Sequence, residues 1–523
     1  MIPIPKPKFV QILVTLLLPA LVLSACIQPV AAPAQQPPVV PATVAAGQPE
    51  ILWDSWGIPH IYAATEDDLF FALGWAQMHS HGNLLLEIYG KARGRAAELW
   101  GEAYLASDQY MWTIGAPQLG ATLAESGSTA EAFAAGLNAY AAAHPDALDA
   151  RLKAALPLTS HDVMAQTIYT IYSFFAMPGE LSGMQEAYAL GRQPLAAEYA
   201  VQPTSNAWVI GPSRSASGNP IILFNPHIFW PNMPGYEHMV PYEVHLVGPD
   251  LDFYGAALIG AMLPSFGFND SLGWAFTSTP FDVTDYYELT LMDGGYRFDG
   301  ETVAFEIEEH VLTVKQADGS LREEAFEVKR SIHGPVIATR GEKALALYLP
   351  KLDFGERVQP LEMARARNFD EFLAALEPQQ LTPLNFLYAD RTGNIMYTLV
   401  GMFPDRPEGD YDWSGILPGD TSATLWRGLL PYSRMPQVIN PESGYVQNAN
   451  DAPWSTTLPS GLDPASYPAD WPGYDLFPRA LRSLEMVTAR ERFSMEEVMA
   501  DKFSTHALVA DRVLNDLIAA ARQ

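Results

Sequence analysis

The sequence predicts an α+β protein in which helices and strands occupy separate parts of the chain. The first part is helical, since Thr65 followed by three carboxylates is typical of a helix start. Alanine-rich stretches with helical periodicity cover roughly 119–143 and 162–176. Residues 205 to about 455 combine apolar alternation with many Gly, Pro and Asp turns, which indicates strands, and helical patterns return after Pro478. This segregation favours the α+β class.

The folded part is expected to begin near Glu50. The residues from Ile51 to Ala63 alternate like a strand, with a break at Gly57 and Pro59. A helix is predicted from Leu69 to Met78, and a second helical stretch from Leu84 to Gly101. The later strands and turns therefore follow a helical region of more than a hundred residues.

Composition describes a globular, acidic chain. Its 523 residues are enough to bury a large hydrophobic core and could form more than one domain. Hydrophobic residues make up 48% and charged residues 17%, which is typical of folded rather than disordered proteins. The formal net charge of -29 argues against a nucleic-acid partner, because such partners bind cationic surfaces. A solvated acidic surface explains this charge most simply.

Residues 1–26 have the pattern of a lipoprotein-type export signal. Lys6 and Lys8 precede an apolar run that ends shortly before Cys26, the only cysteine of the chain. The alternatives are an ordinary signal peptide or a short anchor helix, although the run is short for a membrane span of roughly 20 residues. The expectation is lipidation at Cys26, with residues 27–49, rich in Pro and Ala, as a tether. The protein would then be exported and anchored to the membrane of a bacterial cell envelope.

Five motifs occur in an order that is typical of one enzyme family. They lie at Gly57–Ile61, Gly94–Glu98, Thr204–Gly211, Asn225–His227 and Asn440–Asn450. Together they resemble the penicillin acylase (penicillin amidase) family of N-terminal nucleophile hydrolases, which includes cephalosporin and acyl-homoserine lactone acylases. The resemblance spans roughly residues 50 to 510. The region after Gln77 departs from the family pattern, because His79 and His81 stand where relatives carry other residues.

The resemblance implies a fold and a maturation step. The fold is a four-layer αββα sandwich, with a helical α-subunit region at 50–186 wrapped on a β-subunit region at 205–523. Residues 187–204 would form a short linker peptide, and the precursor would cut itself between Thr204 and Ser205. Relatives usually continue further, so the β-subunit region is expected to be C-terminally truncated, with a compact subfamily as the alternative.

The resemblance also assigns catalytic roles. Ser205 would be the nucleophile, and its freed α-amine, with a reference pKa of about 7.7 to 8.0, would act as its base. His227 would orient the surroundings of the nucleophile. The backbone N–H of Ser278 and the side-chain amide of Asn450 would stabilise the oxyanion, and Arg479 would support the site. Two neighbours remain alternatives for the last two roles: Asn448 for Asn450 and Arg482 for Arg479.

A structural calcium ion is a further implication. Asp282, Thr284 and Asp285 follow Ser278 at the spacing at which relatives bind calcium, and two carboxylates with an intervening backbone carbonyl offer hard oxygen ligands. Glu180 and Asp475 are candidate additional ligands. The alternative is a solvated acidic turn. Two more histidines, His79 and His81, are interpreted as structural because no third ligand lies near them in the sequence.

The acyl pocket is expected just before Glu180. Phe174 and Phe175, with Tyr172 and Met177, lie where the family places pocket residues, and Phe266 would join them. Apolar residues at this spacing are also typical of an ordinary core.

The sequence therefore predicts an amidohydrolase that cleaves the amide between an acyl chain and an amine-bearing core of β-lactam, acyl-homoserine lactone or lipopeptide type. The alternative is a catalytically impaired, lipid-anchored binding protein of the same fold. A serine hydrolase with an internal triad based on His227 or another His is a third hypothesis. The common Gly-x-Ser-x-Gly and Ser-x-x-Lys motifs do not occur in the sequence.

Overall fold

The computed structural model describes residues 45–522 apart from 46, 125–127, 176, 193–203, 229–236, 353, 355–357 and 475. Helices dominate its first part and strands its middle, so the predicted mixed α+β class is confirmed. The predicted lipidation site at Cys26 and most of the predicted tether lie outside the described residues.

The helices fall mainly before residue 190 and after residue 477. They are α1 (Glu66–Ala92), α2 (Ala96–Trp100), α3 (Leu105–Ile114), α4 (Ala116–Ala124), α5 (Ser128–Ala143), α6 (Ser160–Ser173), α7 (Pro178–Ala189), α8 (Gln359–Arg365), α9 (Phe369–Leu376), α10 (Pro478–Thr488), α11 (Met495–Lys502) and α12 (Leu508–Ala521). None of the helices in the described ranges is long and apolar enough to cross a membrane.

Most of the strands lie between residues 204 and 448. They are β1 (Glu50–Trp53), β2 (Pro59–Tyr62), β3 (Thr204–Ile210), β4 (Ile221–His227), β5 (Pro241–Gly248), β6 (Leu251–Leu258), β7 (Phe266–Phe268), β8 (Leu272–Ser278), β9 (Tyr286–Met292), β10 (Gly295–Phe298), β11 (Glu301–Val303), β12 (Glu306–Lys315), β13 (Leu321–Ser331), β14 (Gly334–Arg340), β15 (Lys343–Leu347), β16 (Leu384–Asp390), β17 (Ile395–Val400), β18 (Ile416–Pro418), β19 (Gln437–Ile439) and β20 (Tyr445–Asn448).

The first helix is longer than the sequence pattern suggested. The Thr65 hydroxyl accepts the Asp68 N–H at 3.1 Å and thereby caps α1. The helix continues to Ala92 through a non-helical residue at His81, so the predicted break between two helices is only a kink. Gly94, with a φ of +68°, separates α1 from α2. The kink falls within the predicted gap between Met78 and Leu84, so the two predicted helices are joined end to end across it, and the second ends at Ala92 rather than at Gly101.

A buried ion pair links the end of α1 to the start of α6. Thr159 and Asp162 form a reciprocal capping box at α6. The Arg93 guanidinium donates to both Asp162 oxygens at 2.7 Å, and only 4% of the Asp162 side chain is exposed. This bidentate geometry fixes the orientation of the two helices.

The strands form three sheets. The nine-stranded sheet has the order β1-β2-β5-β6-β7-β8-β16-β17-β19, and the three-stranded sheet has the order β20-β3-β4. The eight-stranded sheet has the order β11-β10-β9-β15-β14-β13-β12, with β18 on β9. The pairs β2–β5 and β9–β18 are parallel, and the other strand pairs described are antiparallel. Strands β1 and β2, from the predicted α-subunit region, therefore belong to the same sheet as β8 and β16.

The three-stranded sheet lies between two layers of apolar side chains. Ala207 and Val209 on β3 belong to the main core, together with Leu387 of the nine-stranded sheet. Trp208 and Ile210, on the opposite face of β3, pack with Val487 of α10 and neighbouring residues of the C-terminal part. This alternation is expected for a strand that is buried on both faces. It places the start of β3 between the nine-stranded sheet and α10.

Candidate active site

Ser205 lies near the start of β3, where the strand is buried. Thr204 pairs with His227 of β4, and Ser205 pairs with Pro226. Ser205 is only 6% exposed. It shares a face of the strand with Ala207, because side chains alternate along a strand. The predicted nucleophile is therefore turned towards the nine-stranded sheet.

Asn450 lies in a tight turn directly after β20. Its φ of +71° is in the left-handed region, which Asn tolerates better than most residues. Two buried side chains hold this turn. The Asn448 Oδ1 accepts the Asn450 N–H at 2.7 Å, and the Asp451 Oδ1 accepts the Ala449 N–H at 2.7 Å. Asn448, the alternative candidate for the oxyanion donor, is thus a support of the turn.

The side-chain amide of Asn450 connects the nucleophile to β8. Its Oδ1 accepts the backbone N–H of Ser205 at 2.7 Å. Its Nδ2 donates to the backbone carbonyl of Ser278 at 2.8 Å. The structure therefore brings together three predicted site residues that are far apart in the sequence, the most distant pair by 245 positions.

Arg479, at the start of α10, binds both Ser205 and Asn450. Its Nη1 donates to the Ser205 carbonyl at 2.6 Å and to the Asn206 Oδ1 at 2.7 Å, and its Nη2 donates to the Asn450 Oδ1 at 2.8 Å. Burial lowers the pKa of the Arg479 guanidinium, and nearby Asp451 opposes this shift. Arg482, the alternative candidate, instead contacts Glu485 on its own helix.

His227 contacts the residue before the predicted cut. Its Nδ1 lies 2.9 Å from the Thr204 hydroxyl, and its Nε2 lies 2.7 Å from the Asn225 Oδ1. The Asn206 Nδ2 also lies 3.3 Å from Nε2, but the shorter contact with the Asn225 oxygen favours a proton on Nε2, and Nδ1 then accepts from Thr204. Burial, followed by the charges of Arg479 and Lys502, lowers the pKa of His227. A neutral imidazole is consistent with both hydrogen bonds.

Sequence reasoning missed a buried polar network behind the site. Asn385 on β16 donates to the Ser278 carbonyl and to the Thr277 hydroxyl, each at 3.1 Å, and accepts from the Tyr397 hydroxyl at 2.6 Å. The Thr277 hydroxyl in turn donates to Asn448. No local motif marks these residues, since strand pairing brings Asn385 opposite Thr277.

The predicted calcium ligands are only partly brought together. Asp282 and Asp285 both lie beside Arg406, while the Thr284 hydroxyl donates to the Phe175 carbonyl at 2.6 Å. Glu180 is in the first turn of α7, and burial raises its pKa. The fifth candidate, Asp475, lies outside the described residues. Within the described part of the chain, no group of three or more His, Cys, Asp or Glu side chains has an arrangement suited to a metal ion.

The predicted pocket residues are divided between two places. Phe266 contacts Phe224 and Phe276, with ring centroids 4.5 and 5.8 Å away, and borders a cavity of about 860 Å³. Phe224 also lines this cavity, as does Pro226, which pairs with Ser205. Phe175 is buried in the main core, and Phe174 ends α6. The cavity therefore borders β4 rather than the end of α6.

The predicted end of the α-subunit region falls inside a helix. Helix α7 continues to Ala189, beyond the predicted end of the α-subunit region at residue 186. Residues 193–203, most of the predicted linker, lie outside the described residues. Thr204 is the first residue of β3.

Comparisons with known proteins agree with the motifs. The family model for penicillin amidase matches residues 48–523. The chain is 30% identical over 296 residues to penicillin G acylase of Escherichia coli, and this alignment covers 55% of this chain and 32% of that protein. It is 25% identical over 518 residues to the penicillin acylase 2 proenzyme of Pseudomonas sp. (strain SE83), with 87% and 64% covered.

Two further similarities involve another named activity and a solved structure. The acyl-homoserine lactone acylase PvdQ of Pseudomonas syringae pv. syringae (strain B728a) is 26% identical over 545 residues, covering 90% of this chain and 68% of that protein. The thermostable penicillin G acylase from Alcaligenes faecalis superposes with a TM-score of 0.48 at 25% identity, covering 57% of this chain and 51% of the other. The chain thus spans about a third of the length of the E. coli relative and 64% of the proenzyme. Because the family model covers nearly the whole chain, the protein belongs to the penicillin amidase family.

Proposed function

We propose that the protein is an acylase that hydrolyses the amide between an acyl chain and an amine-bearing core, with Ser205 as nucleophile after a cut between Thr204 and Ser205. The observation that carries this proposal is the position of Asn450. Its amide contacts the backbone N–H of Ser205 and the carbonyl of Ser278, while Arg479 holds both Ser205 and Asn450. A nucleophile, its future amine and an amide donor are therefore adjacent.

The cut follows from the chemistry of a serine next to its own peptide bond. The Ser205 Oγ attacks the Thr204 carbonyl carbon, the C–N bond to Ser205 breaks, and the released nitrogen becomes a free amine. Water then hydrolyses the ester between Thr204 and the Ser205 oxygen. His227 accepts a hydrogen bond from the Thr204 hydroxyl, which helps to hold the leaving segment in place.

Turnover uses the same atoms. The free α-amine of Ser205 takes the hydroxyl proton, the Oγ attacks the substrate carbonyl, and the amine returns the proton to the leaving nitrogen. The Asn450 amide and the backbone N–H of Ser278 donate to the developing oxyanion. Arg479 and the Ser278 carbonyl hold the two ends of the Asn450 amide, so the second Nδ2 proton is the one that would donate when charge develops. Water then hydrolyses the acyl-enzyme.

The rival functions are less well supported by this arrangement. A triad enzyme needs His227 or another His as its base, but the ring nitrogens of His227 contact Thr204, Asn206 and Asn225 rather than the Ser205 hydroxyl. An impaired binding protein of the same fold has no need of the Ser205–Asn450–Arg479 contacts, which are all present. The acylase therefore explains more of the geometry than either alternative.

Substrate, location and architecture extend the proposal. The named activities of the relatives suggest a β-lactam or an acyl-homoserine lactone as the N-acylated substrate. The four-layer αββα sandwich remains part of the proposal, as does association of the α and β fragments after the cut. Export and lipid anchoring through Cys26 would place the enzyme at the cell envelope.

Intact mass and N-terminal sequencing of the purified protein test the maturation step. The expected result is two fragments, one of which begins with Ser205. The Ser205→Ala variant should remain one chain, because it lacks the attacking hydroxyl. Ser213→Ala is the matched control, since Ser213 is an exposed serine in the loop after β3 and its loss should leave the cut unchanged.

Release of free amine from penicillin G and from an acyl-homoserine lactone then tests the activity. The cut protein should release amine from at least one of them. Wild-type protein that stays uncut, or cut protein that is inactive on all N-acyl substrates tried, would favour the binding-protein alternative.

A further inference from the structure

A buried arginine lies at the centre of the predicted calcium site. Arg406, in the loop between β17 and β18, has only 5% of its side chain exposed. Its Nε and Nη2 donate to the two oxygens of Asp285 at 3.1 and 3.0 Å, and its Nη1 donates to Asp470 at 2.7 Å. Its Nη2 also lies 3.6 Å from Asp282. One guanidinium thus contacts three carboxylates.

Both oxygens of Asp285 are already engaged by protein donors. Its side chain is fully buried, and both of its oxygens accept from Arg406. The Trp426 indole N–H donates to one of them as well. The guanidinium also lies 5.1 Å from the centre of the Trp413 ring. Such a planar, bidentate and stacked arrangement suits arginine and no other cationic side chain.

Two of the other predicted ligands, Asp282 and Thr284, have side chains that already contact protein groups. Calcium needs six to eight oxygens converging at about 2.3–2.6 Å. The Thr284 hydroxyl is directed to the Phe175 carbonyl, and Asp282 and Asp470 face the guanidinium. A divalent ion here would have to displace Arg406 from a fully buried carboxylate. The donor set is therefore that of an arginine site rather than a calcium site.

We propose that the guanidinium of Arg406 is the resident cation of this acidic cluster, so that the folded protein needs no divalent ion there. The full burial of Asp285 demands one compensating charge, and Arg406 supplies it. Asp282 and Asp470 are 43% and 22% exposed, so water stabilises their remaining charge. This inference does not depend on the acylase proposal, because it concerns the stability of the fold.

The cluster also has a structural consequence. Asp285 directly precedes β9, and Thr284 is bonded to the segment after α6. Arg406 therefore fixes the point where the helical region meets the eight-stranded sheet. Loss of its charge should weaken this junction.

Metal dependence of the wild-type protein is the first test. The melting temperature is measured in EGTA and in excess calcium chloride, and the calcium content of protein purified without chelator is measured by mass spectrometry. We expect the same melting temperature in both conditions and substoichiometric calcium. Stoichiometric calcium, or a melting temperature that falls in EGTA and recovers with calcium, would overturn the proposal.

Replacement of the arginine is the second test. Arg406→Met should lower the melting temperature by several degrees, because it leaves a buried carboxylate without a partner. The control Arg434→Met removes a guanidinium that is 56% exposed and 4.0 Å from Asp405, and it should have little effect. Equal, small effects of the two variants would contradict the inference. If Arg406→Met does not fold, the wild-type metal measurements decide.

Discussion

At the scale of single residues, the geometry around Ser205, the proposed nucleophile, depends on side chains that do not contact Ser205 themselves. Asn385 is fully buried, and its amide donates to the carbonyl of Ser278, the same oxygen that accepts from Asn450. Tyr397 holds the Asn385 oxygen at 2.6 Å. Each donor and acceptor of this network is matched, so removal of one member leaves another unsatisfied in the interior. Asn385 is therefore a positioning residue for Ser278 and Asn450.

The Asn385→Ala variant should lower kcat about tenfold with little change in KM. The reason is that, of the three hydrogen bonds of Asn385, the one to the Ser278 carbonyl positions the proposed oxyanion donors, and its loss, about 1–2 kcal/mol, would loosen them without changing substrate contacts. Steady-state kinetics of the cut protein provide the measurement. Tyr397→Phe is the control, because it keeps both Asn385 donor contacts and should have a smaller effect. A normal kcat with a raised KM would contradict this role.

Site residues that the family resemblance marks differ from site residues that strand pairing places in how far the sequence could reveal them. Asn450 ends the Asn440–Asn450 motif and Arg479 is assigned through the family resemblance, and the structure brings both to Ser205. Asn385 has no motif, because its function arises from the register of β16 against β8, 107 residues from Ser278. Strand register is set by tertiary packing and could not be derived from local pattern alone.

At the scale of elements, two glycines let α1 and α5 pack at close range. A Cβ added at Gly74 would lie 2.1 Å from the Phe133 carbonyl oxygen, and one added at Gly136 would lie 1.9 Å from the Phe71 carbonyl oxygen. In both cases the added Cβ would meet a backbone oxygen, so no change of side-chain rotamer can relieve the clash. The sequence showed alanine-rich helices, but it could not show which small residues form the contact.

The Gly136→Ala variant should therefore be destabilised by at least about 2–3 kcal/mol, although alanine normally favours a helix over glycine by about 1 kcal/mol. Urea unfolding monitored by circular dichroism measures the change. Gly183→Ala in α7 is the matched control, because nothing lies within 4 Å of its added Cβ. The control should be neutral or slightly stabilising. Equal stability of the two variants would show that α1 and α5 can separate without cost.

The helix boundaries show the same limit of the sequence. Capping signals at Thr65 and Thr159 start α1 and α6, as side-chain chemistry requires. The kink at His81 falls in the gap between the two predicted helices, and in the structure these helices are joined across it. Local chemistry thus defines helix starts, whereas tertiary contacts decide whether a helix continues.

At the scale of the whole molecule, buried polar contacts join the helical region to the sheets. Gln77 of α1 exchanges hydrogen bonds with the backbone at Gly260 and Ala261, each at 2.9 Å. The His238 Nε2 lies 3.1 Å from the Ser173 hydroxyl at the end of α6. Such contacts explain how two fragments could stay together after a cut before Ser205. They also make the junction sensitive to pH.

His238 is fully buried, and burial, together with the charge of Lys91, lowers its pKa to about 3. Its pKa in the unfolded chain is about 6.5, so below that pH the unfolded state binds a proton that the folded state refuses. The contribution of the neutral His238 to the stability of the folded state is therefore complete above pH 6.5 and falls as the pH decreases towards 3.

Asp108 has the opposite effect on stability. Burial raises its pKa to about 6, so its protonation favours the folded state as the pH falls below 6. The change in the free energy of unfolding at acid pH is therefore the sum of the contributions of such opposing groups.

A His238→Gln variant separates the histidine from these other groups. Gln retains a polar atom for Ser173 but does not titrate, whereas the wild type should lose about 1.4 kcal/mol per pH unit through His238. Between pH 6.5 and 5, the free energy of unfolding of the wild type should therefore fall by about 2 kcal/mol more than that of the variant. Urea unfolding at several pH values measures both curves, and measurements at pH 8 give the difference that is independent of protonation. Parallel curves from pH 8 to 5 would mean that His238 accepts its proton without unfolding, and that the junction between α6 and the sheets opens locally to water.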